Sequence, residues 1–367
     1  MVKNDKVISL LVRVPNWIGD AVMCLPALDA LGKRGAATGI TVLAKPWVAP
    51  LFQSHPSISK VMIYDSGGRH GGLAGKWRLS TDLKRCGFDG ALLFQNAFEA
   101  ALISFLAAIP ERYGYGTDGR GPLLTKRVKP AGKDVALHHV DYYLNLVTKL
   151  GLGSSGERYP RLHLAASEKQ WGKEYLREKG VDERRPLIGF APGAAYGPAK
   201  QWPAEKFSRV ALALAERCGA YPVLFGSKGD REACRLVGRG IGENHLDLSG
   251  KTNLREAMAI MSRCAVFITN DSGLMHVSAA LGVPTVAIFG STDPRATGPL
   301  GRECAVLYRK VECSPCFKRE CPTDLKCMEV ISADEVIEAA MAYIGPSGGA
   351  VKSAAATATK INVVERP

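Results

Sequence analysis

No run of this 367-residue sequence approaches the roughly 20 apolar residues needed to cross a bilayer, so no membrane-spanning helix is expected. No secretory leader is expected either. Met1 to Lys6 is polar and passes directly into the strand-like VISLLVRV without a cleavage site, which points to the cytoplasm. Zinc-finger spacing, basic heptads and an aromatic-rich basic motif are all lacking, so nothing marks nucleic acid as a partner. Among charged residues the acidic class is short: 48 Lys and Arg stand against 35 Asp and Glu, a net of 48 − 35 = +13. That excess calls for an anionic substrate or an anionic membrane surface. Ten cysteines are too dilute in a chain of this length to be a disulfide framework.

What the chain does have is alternation of short apolar β-branched runs with amphipathic segments. Its length suggests two domains. The clearest unit spans residues 265–294, AVFITNDSGLMHVSAALGVPTVAIFGSTDP. It reads as strand Ala265–Thr269, a polar turn from Asn270 to Gly273, helix Leu274–Leu281 and strand Thr285–Phe289. Two buried strands joined by one helix make a parallel βαβ unit. Ligands bind beyond the carboxyl ends of such strands, where both Asn-Asp-Ser-Gly and Gly-Ser-Thr fall. A helix N-terminus there offers free N–H groups to a phosphate. Asp271 or Ser272 could equally serve as an ordinary helix cap.

In the first half, a strand over Val7–Val14 ends in RVPNWIGD, and a helix follows with Ala21, Cys24, Leu25, Leu28 and Leu31 on one face. Pro26 should kink it. Asp20 therefore lies at a strand-to-helix turn, open to a functional or a capping role. Further pairs are expected: strand Ile40–Ala44 with helix Trp47–Gln53, strand Lys60–Tyr64, and strand Gly90–Phe94 with helix Phe98–Ala108. Residues 66–72 read as a flexible basic loop, and Gln95 and Asn96 as a polar pair ending a strand. Residues 110–115 with Arg120, Lys126 and Arg127 read as a basic, aromatic stretch. Together with Arg69 and Arg112, this concentration on loops suggests a surface for an anionic acceptor. His138-His139-x-Asp141 opens a helix over Tyr142–Leu150 and offers too few ligands for a metal, so capping or packing is the better reading.

The domain division expected is 1–155, 156–344 and a Gly/Ala/Ser/Thr-rich tail, 345–367, without apolar periodicity and expected to be disordered. The second domain repeats the α/β pattern: strand Leu187–Ala191, helix Ala204–Cys218, strand Tyr221–Gly226, helix Arg231–Gly240, strand His245–Leu248 and helix Leu254–Cys264. Its turn PGAAYGPAKQWP (192–203) carries Lys200, suited to a diphosphate as a mobile point charge. A second turn, residues 226–230, carries Ser227 and Asp230. Neither turn is a GxGxxG nor a GxxxxGK[ST], which argues against a dinucleotide dehydrogenase or an NTPase.

NWIGDAVMCLPAL, PGAAYGPAKQWP and NDSGLMHVSAALGVPTVAIFGSTDP, in that order, resemble bacterial glycosyltransferase family 9 over roughly residues 7–344. The resemblance implies an α/β GT-B fold, two Rossmann-like doubly wound domains facing a central cleft, with the acceptor on the first and a nucleotide sugar on the second. It implies inverting transfer of L-glycero-D-manno-heptose from ADP-heptose to a heptose of the lipopolysaccharide inner core, at the cytoplasmic membrane surface. Asp20 matches the family's base and Lys200 its diphosphate-binding lysine. Asp271, Ser272, Gly273 and His276 match the nucleotide grip, and Ser227 and Asp230 are ribose or adenine candidates by position. Asn16, Gln95, Asn96, Arg69, Arg112 and Arg120 are the acceptor-binding candidates. The Asp-x-Asp pair common in metal-dependent glycosyltransferases does not occur, so no metal and no cofactor is expected. Cys313-x2-Cys316-x4-Cys321-x5-Cys327 remains open between a metal site, reversible disulfides and a plain structural loop. Rival readings are a nucleotide-sugar epimerase and a two-lobed binding protein.

Overall fold

The computed structural model describes residues 9–33, 39–130, 138–153, 156–344 and 362–363, arranged as two compact units, Met1–His163 and Leu164–Pro367. The division falls a few residues beyond the expected one. The tail assigned to 345–367 lies outside the described residues, apart from Asn362–Val363.

The first unit is built on six parallel strands: β1 (Ser9–Arg13), β2 (Gly39–Ala44), β3 (Ile58–Ile63), β4 (Gly90–Leu93), β5 (Glu111–Tyr115) and β6 (Lys126–Val128). Their order is β3-β2-β1-β4-β5-β6. The central strands are apolar on both faces because helices cover both. Helices α1 (Ile18–Met23), α2 (Leu25–Lys33) and α5 (His139–Lys149) carry 1–163 forward, as do α3 (Gly72–Arg85) and α4 (Phe98–Leu106). Leu79 and Leu83 of α3 and Ala101 and Ile103 of α4 join Leu11, Ala91 and Leu93 of the sheet in one core. The chain reverses its direction of travel between β1 and β4, so the loops leaving these two strands flank the natural ligand crevice.

The second unit repeats the plan. Its strands are β7 (Leu187–Ala191), β8 (Tyr221–Leu224), β9 (Leu246–Asp247), β10 (Cys264–Asn270), β11 (Thr285–Phe289), β12 (Cys304–Tyr308) and β13 (Asn362–Val363). All pairings are parallel, in the order β13-β12-β11-β10-β7-β8-β9, with the reversal between β7 and β10. Its helices are α6 (Ala166–Glu178), α7 (Ala204–Cys218), α8 (Arg231–Ile241), α9 (Leu254–Met261), α10 (Gly273–Ala280), α11 (Pro294–Thr297), α12 (Lys326–Glu329) and α13 (Ala333–Met341).

Several expectations need correction. The kink expected at Pro26 is a break at Cys24, which ends α1 so that Pro26 sits in the first turn of α2, where its missing N–H costs nothing. Residues 111–115 are a strand, not a loop: Tyr113 and Tyr115 face inward, and a buried aromatic pattern outweighed the charged Glu111 and Arg112 that precede them. The segment before α3 is not free either, because His70 is buried and its Nδ1 accepts from the Asp65 N–H at 3.2 Å. Helix α3 itself has a polar, glycine-interrupted sequence that hides its core-facing Leu79 and Leu83.

Candidate functional site

At the β1/β4 edge of the first unit, Asp20 is the third residue of α1. Trp17 is the residue that precedes the helix, and it gives no side-chain cap. Asp20 does not cap either. Its Oδ1 lies 3.0 Å from Nδ1 of His139, the first residue of α5. Both side chains are part-exposed, so this is a carboxylate held by an imidazole at a solvent-reachable edge. The capping role in α5 falls to His138, whose Nδ1 accepts from the Val140 N–H at 3.2 Å. Adjacent histidines thus divide the work.

Three further candidates are fixed around this loop. Asn16 Oδ1 accepts from Arg13 and its carbonyl from Trp47 Nε1, at 2.6 and 2.8 Å. Asn96 accepts from Arg120 at 2.8 Å and donates to the Tyr142 hydroxyl at 2.9 Å. Gln95 offers its carbonyl to Arg120.

Arg120 is 0% exposed, so it is not part of an open basic surface. Its guanidinium ties the Gln95 carbonyl, the Asn96 side chain and the Tyr115 carbonyl together, and burial lowers its pKa to about 10. It is a strut for the edge. Arg112 is likewise engaged, donating to the carbonyls of Leu123 (2.7 Å) and Pro110 (3.2 Å). Arg69 remains at the surface, paired with Asp82 at 2.7 Å. Arg120→Ala should lower stability by about 2–3 kcal/mol, since one buried and two half-buried acceptors lose a charged donor. Chemical denaturation would read this, and a loss under about 1 kcal/mol would remove the strut role.

Two cations at this edge escaped the sequence reading. Arg13, at the end of β1, is buried and has a pKa lowered to about 10 by desolvation. Lys45, just beyond β2, sits with Nζ 3.5 Å from the centroid of the Tyr64 ring, and burial and the charge of Arg13 lower its pKa. Tyr64 in turn donates to Glu99 at 2.6 Å. In sequence these are a strand-end arginine and a Lys-Pro pair, and only topology brings them to one edge.

In the second unit, the turns after β7, β10 and β11 meet. Asn270 joins two of them: its amide donates to the Pro192 carbonyl at 2.7 Å, and its Oδ1 accepts from the Trp202 N–H at 3.0 Å. Lys200 pairs with the buried carboxylate of Asp271, whose Oδ2 also accepts from Thr292 at 2.6 Å. Lys200 Nζ further lies 4.8 Å from the centroid of the Tyr196 ring.

Ser272 occupies the residue before α10, yet its hydroxyl faces Thr269 Oγ1 at 3.2 Å and caps nothing. Asn253 and Ser332, by contrast, cap α9 and α13 with their side chains. The first N–H groups of α10, starting at Gly273, thus lack a side-chain cap, and His276 is buried in the same turn region. Ser227 and Asp230 form a reciprocal cap with each other: Ser227 Oγ donates to Asp230 Oδ2 at 2.7 Å. Asp230 also packs on Gly193, where a Cβ would come within 2.1 Å of its Oδ1.

The cysteine-rich segment braces the Lys200 turn. The Arg319 carbonyl accepts from the Ala199 N–H at 3.0 Å, and Tyr196 donates to the Phe317 carbonyl at 2.7 Å. All ten thiols are free. Burial, with the nearby Cys313, Cys316 and Cys321, pushes the Cys327 thiol up to about 11. Among the described residues, no group of three or more His, Cys, Asp or Glu is arranged to hold a metal ion.

Residues 76–326 match the model of glycosyltransferase family 9 (heptosyltransferase). The chain belongs to this family. It is therefore a glycosyltransferase. Among its relatives, lipopolysaccharide heptosyltransferase 2 of Escherichia coli K12 is 32% identical over 320 residues, covering 83% of this chain and 90% of the relative. Lipooligosaccharide heptosyltransferase 2 of Haemophilus ducreyi is 30% identical over 321 residues, covering 83% and 89%. The solved ADP-heptose lipopolysaccharide heptosyltransferase II of E. coli superposes with a TM-score of 0.76 at 29% identity, over 91% of this chain and 98% of that one. A family 9 glycosyltransferase from Veillonella parvula gives 0.81 at 27% identity, over 91% and 96%. The pair of doubly wound parallel sheets is accordingly the GT-B fold of this glycosyltransferase family.

Proposed function

We propose that this family 9 glycosyltransferase moves L-glycero-D-manno-heptose from ADP-heptose to a heptose of the lipopolysaccharide inner core, inverting the anomeric centre, at the cytoplasmic membrane surface. The names of its relatives support the substrate pair. The observation that carries the chemistry is the Asp20–His139 contact at 3.0 Å, which among the described residues engages one carboxylate oxygen of Asp20 and leaves the second for an incoming hydroxyl.

In this reading Asp20 takes the proton of the acceptor hydroxyl as its oxygen bonds to the anomeric carbon. The bond from that carbon to the diphosphate oxygen breaks, and ADP departs with the electron pair. Lys200 and the first N–H groups of α10 stabilise the charge gathering on the diphosphate, as preorganised donors do. Asp271, itself anionic, acts on Lys200 rather than on phosphate and holds the ammonium in place. Ser272 and His276 complete the nucleotide side, while Asn16, Gln95 and Arg69 are the acceptor-side candidates that remain near or at the surface.

His139 positions the base. His139→Ala should lower kcat about 10- to 100-fold with little change in donor KM, and His139→Asn, which keeps a donor near the Nδ1 position, should recover most of the loss. Equal turnover of His139→Ala and the parent would reduce the contact to a surface ion pair.

The reading as a whole is tested by ADP release from ADP-heptose in excess chelator, with and without a heptosylated lipid A core acceptor. Release that requires acceptor supports transfer. Donor conversion without acceptor would instead favour an epimerase.

A further inference from the structure

Helix α4 has the sequence FEAALISFL, apolar on almost every side, yet it is a surface helix. Its Ala100, Ala101, Ile103 and Ser104 pack inward, which leaves Phe98 and Phe105, seven residues apart and so on one face, 47% and 49% exposed. The neighbouring α3 repeats the arrangement with Leu73 and Trp77, one turn apart, 85% and 64% exposed. Soluble surfaces seldom carry four large apolar side chains on two adjacent helices, and such a face marks a partner.

The flanking charge says which partner. Residues 69–85 contain Arg69, Lys76, Arg78, Lys84 and Arg85 against Asp82 alone. Asp82 is paired with Arg69 at 2.7 Å, and Glu99 of α4 with Lys76 at 2.7 Å. Arg78 and Lys84 border the apolar stripe, Arg78 bonded only to the Arg69 carbonyl among the described residues, while Arg85 shares Asp82 with Arg69 at 3.8 Å, so cations outnumber the one acidic side chain of this stretch. Aromatic and leucine side chains framed by cations are what inserts at the headgroup boundary of an anionic bilayer. Both helices also begin at the carboxyl edge of the sheet, α3 after β3 and α4 after β4, the edge that carries Asp20. Trp17 and Trp47, each more than half exposed, lie on loops of that same edge.

We infer that the outward faces of α3 and α4 dock the protein onto an anionic lipid bilayer, which brings the Asp20 edge to the membrane. This goes beyond the transfer reaction but rests on its reading for the purpose of docking, a lipid-linked acceptor.

The test is co-sedimentation of the full chain with vesicles of phosphatidylcholine alone and of phosphatidylcholine with about one quarter phosphatidylglycerol, without acceptor. The parent should bind the anionic vesicles and lose that binding as salt rises. Leu73→Glu/Trp77→Glu should reduce the bound fraction at least about 10-fold, and the milder Leu73→Ser/Trp77→Ser should show the same direction while melting like the parent. Turnover with a soluble, deacylated acceptor should be unchanged in both. Undiminished vesicle binding by both variants would overturn the docking face. So would a parent that ignores vesicles and instead self-associates through these residues. Vesicle binding with no heptose transfer would sustain the docking face and sink the proposed reaction alone. Transfer to soluble acceptor without vesicle binding would do the reverse.

Discussion

Asp20→Asn should give a folded protein that still binds ADP-heptose and transfers heptose roughly 10²–10⁴-fold more slowly. Asparagine keeps the shape of the side chain and its oxygen can still meet His139, so the local structure should survive. What it cannot do is accept a proton at neutral pH. The structure removes the main competing role, because Asp20 is the third residue of its helix, caps none of its N–H groups and directs its carboxylate to His139. A merely structural Asp20 would tolerate Asn with little loss of rate. The measurement is kcat beside a donor titration and a melting curve. A fast Asp20→Asn enzyme would sink the assignment of Asp20 as the base.

Lys200→Ala should slow transfer by roughly 10²–10³-fold and weaken donor binding, the scale seen when a preorganised donor to a developing anion is removed. The structure adds a complication that the sequence did not show. Lys200 is paired with Asp271, whose side chain is only 6% exposed, so removing the lysine alone strands a nearly buried carboxylate that keeps only the Thr292 hydroxyl. Breaking such a pair typically costs about 3–5 kcal/mol. Lys200→Ala should therefore also melt earlier. Lys200→Ala/Asp271→Asn, with neither charge left, should regain much of that stability and none of the turnover. A double variant with restored turnover would mean that Lys200 matters only as a counterion to Asp271.

How far these residues were legible depended on how local their signal was. β7, β11 and α7 were readable to the residue, because buried β-branched runs and a helix opened by proline and closed by Gly219 announce themselves. Asp20, Lys200 and the 270–273 turn were readable because each sits in a short motif at a strand end. α3 and β5 were missed because charges or glycines interrupt their core-facing residues, and tertiary packing decides their state; β12, the wholly apolar CAVLY, was missed too, a run of five residues between polar segments that carries little periodicity of its own. Arg120 was misplaced for a related reason. An arginine in a polar Gly-rich stretch looks solvated, and only the fold brings the Gln95 and Tyr115 carbonyls to it. His139 was read as a helix-opening residue, and its link to Asp20, 119 positions away, could not be seen before the chain was folded.

The most direct test of inverting heptosyl transfer is the anomeric configuration of the product, read by NMR after reaction of ADP-β-heptose with the core acceptor. Displacement by an acceptor oxygen deprotonated at Asp20 and opposite to the leaving diphosphate should give only the α-linked heptose, with one ADP released per linkage formed. A β-linked product, or ADP-heptose consumed with no new linkage, would contradict it.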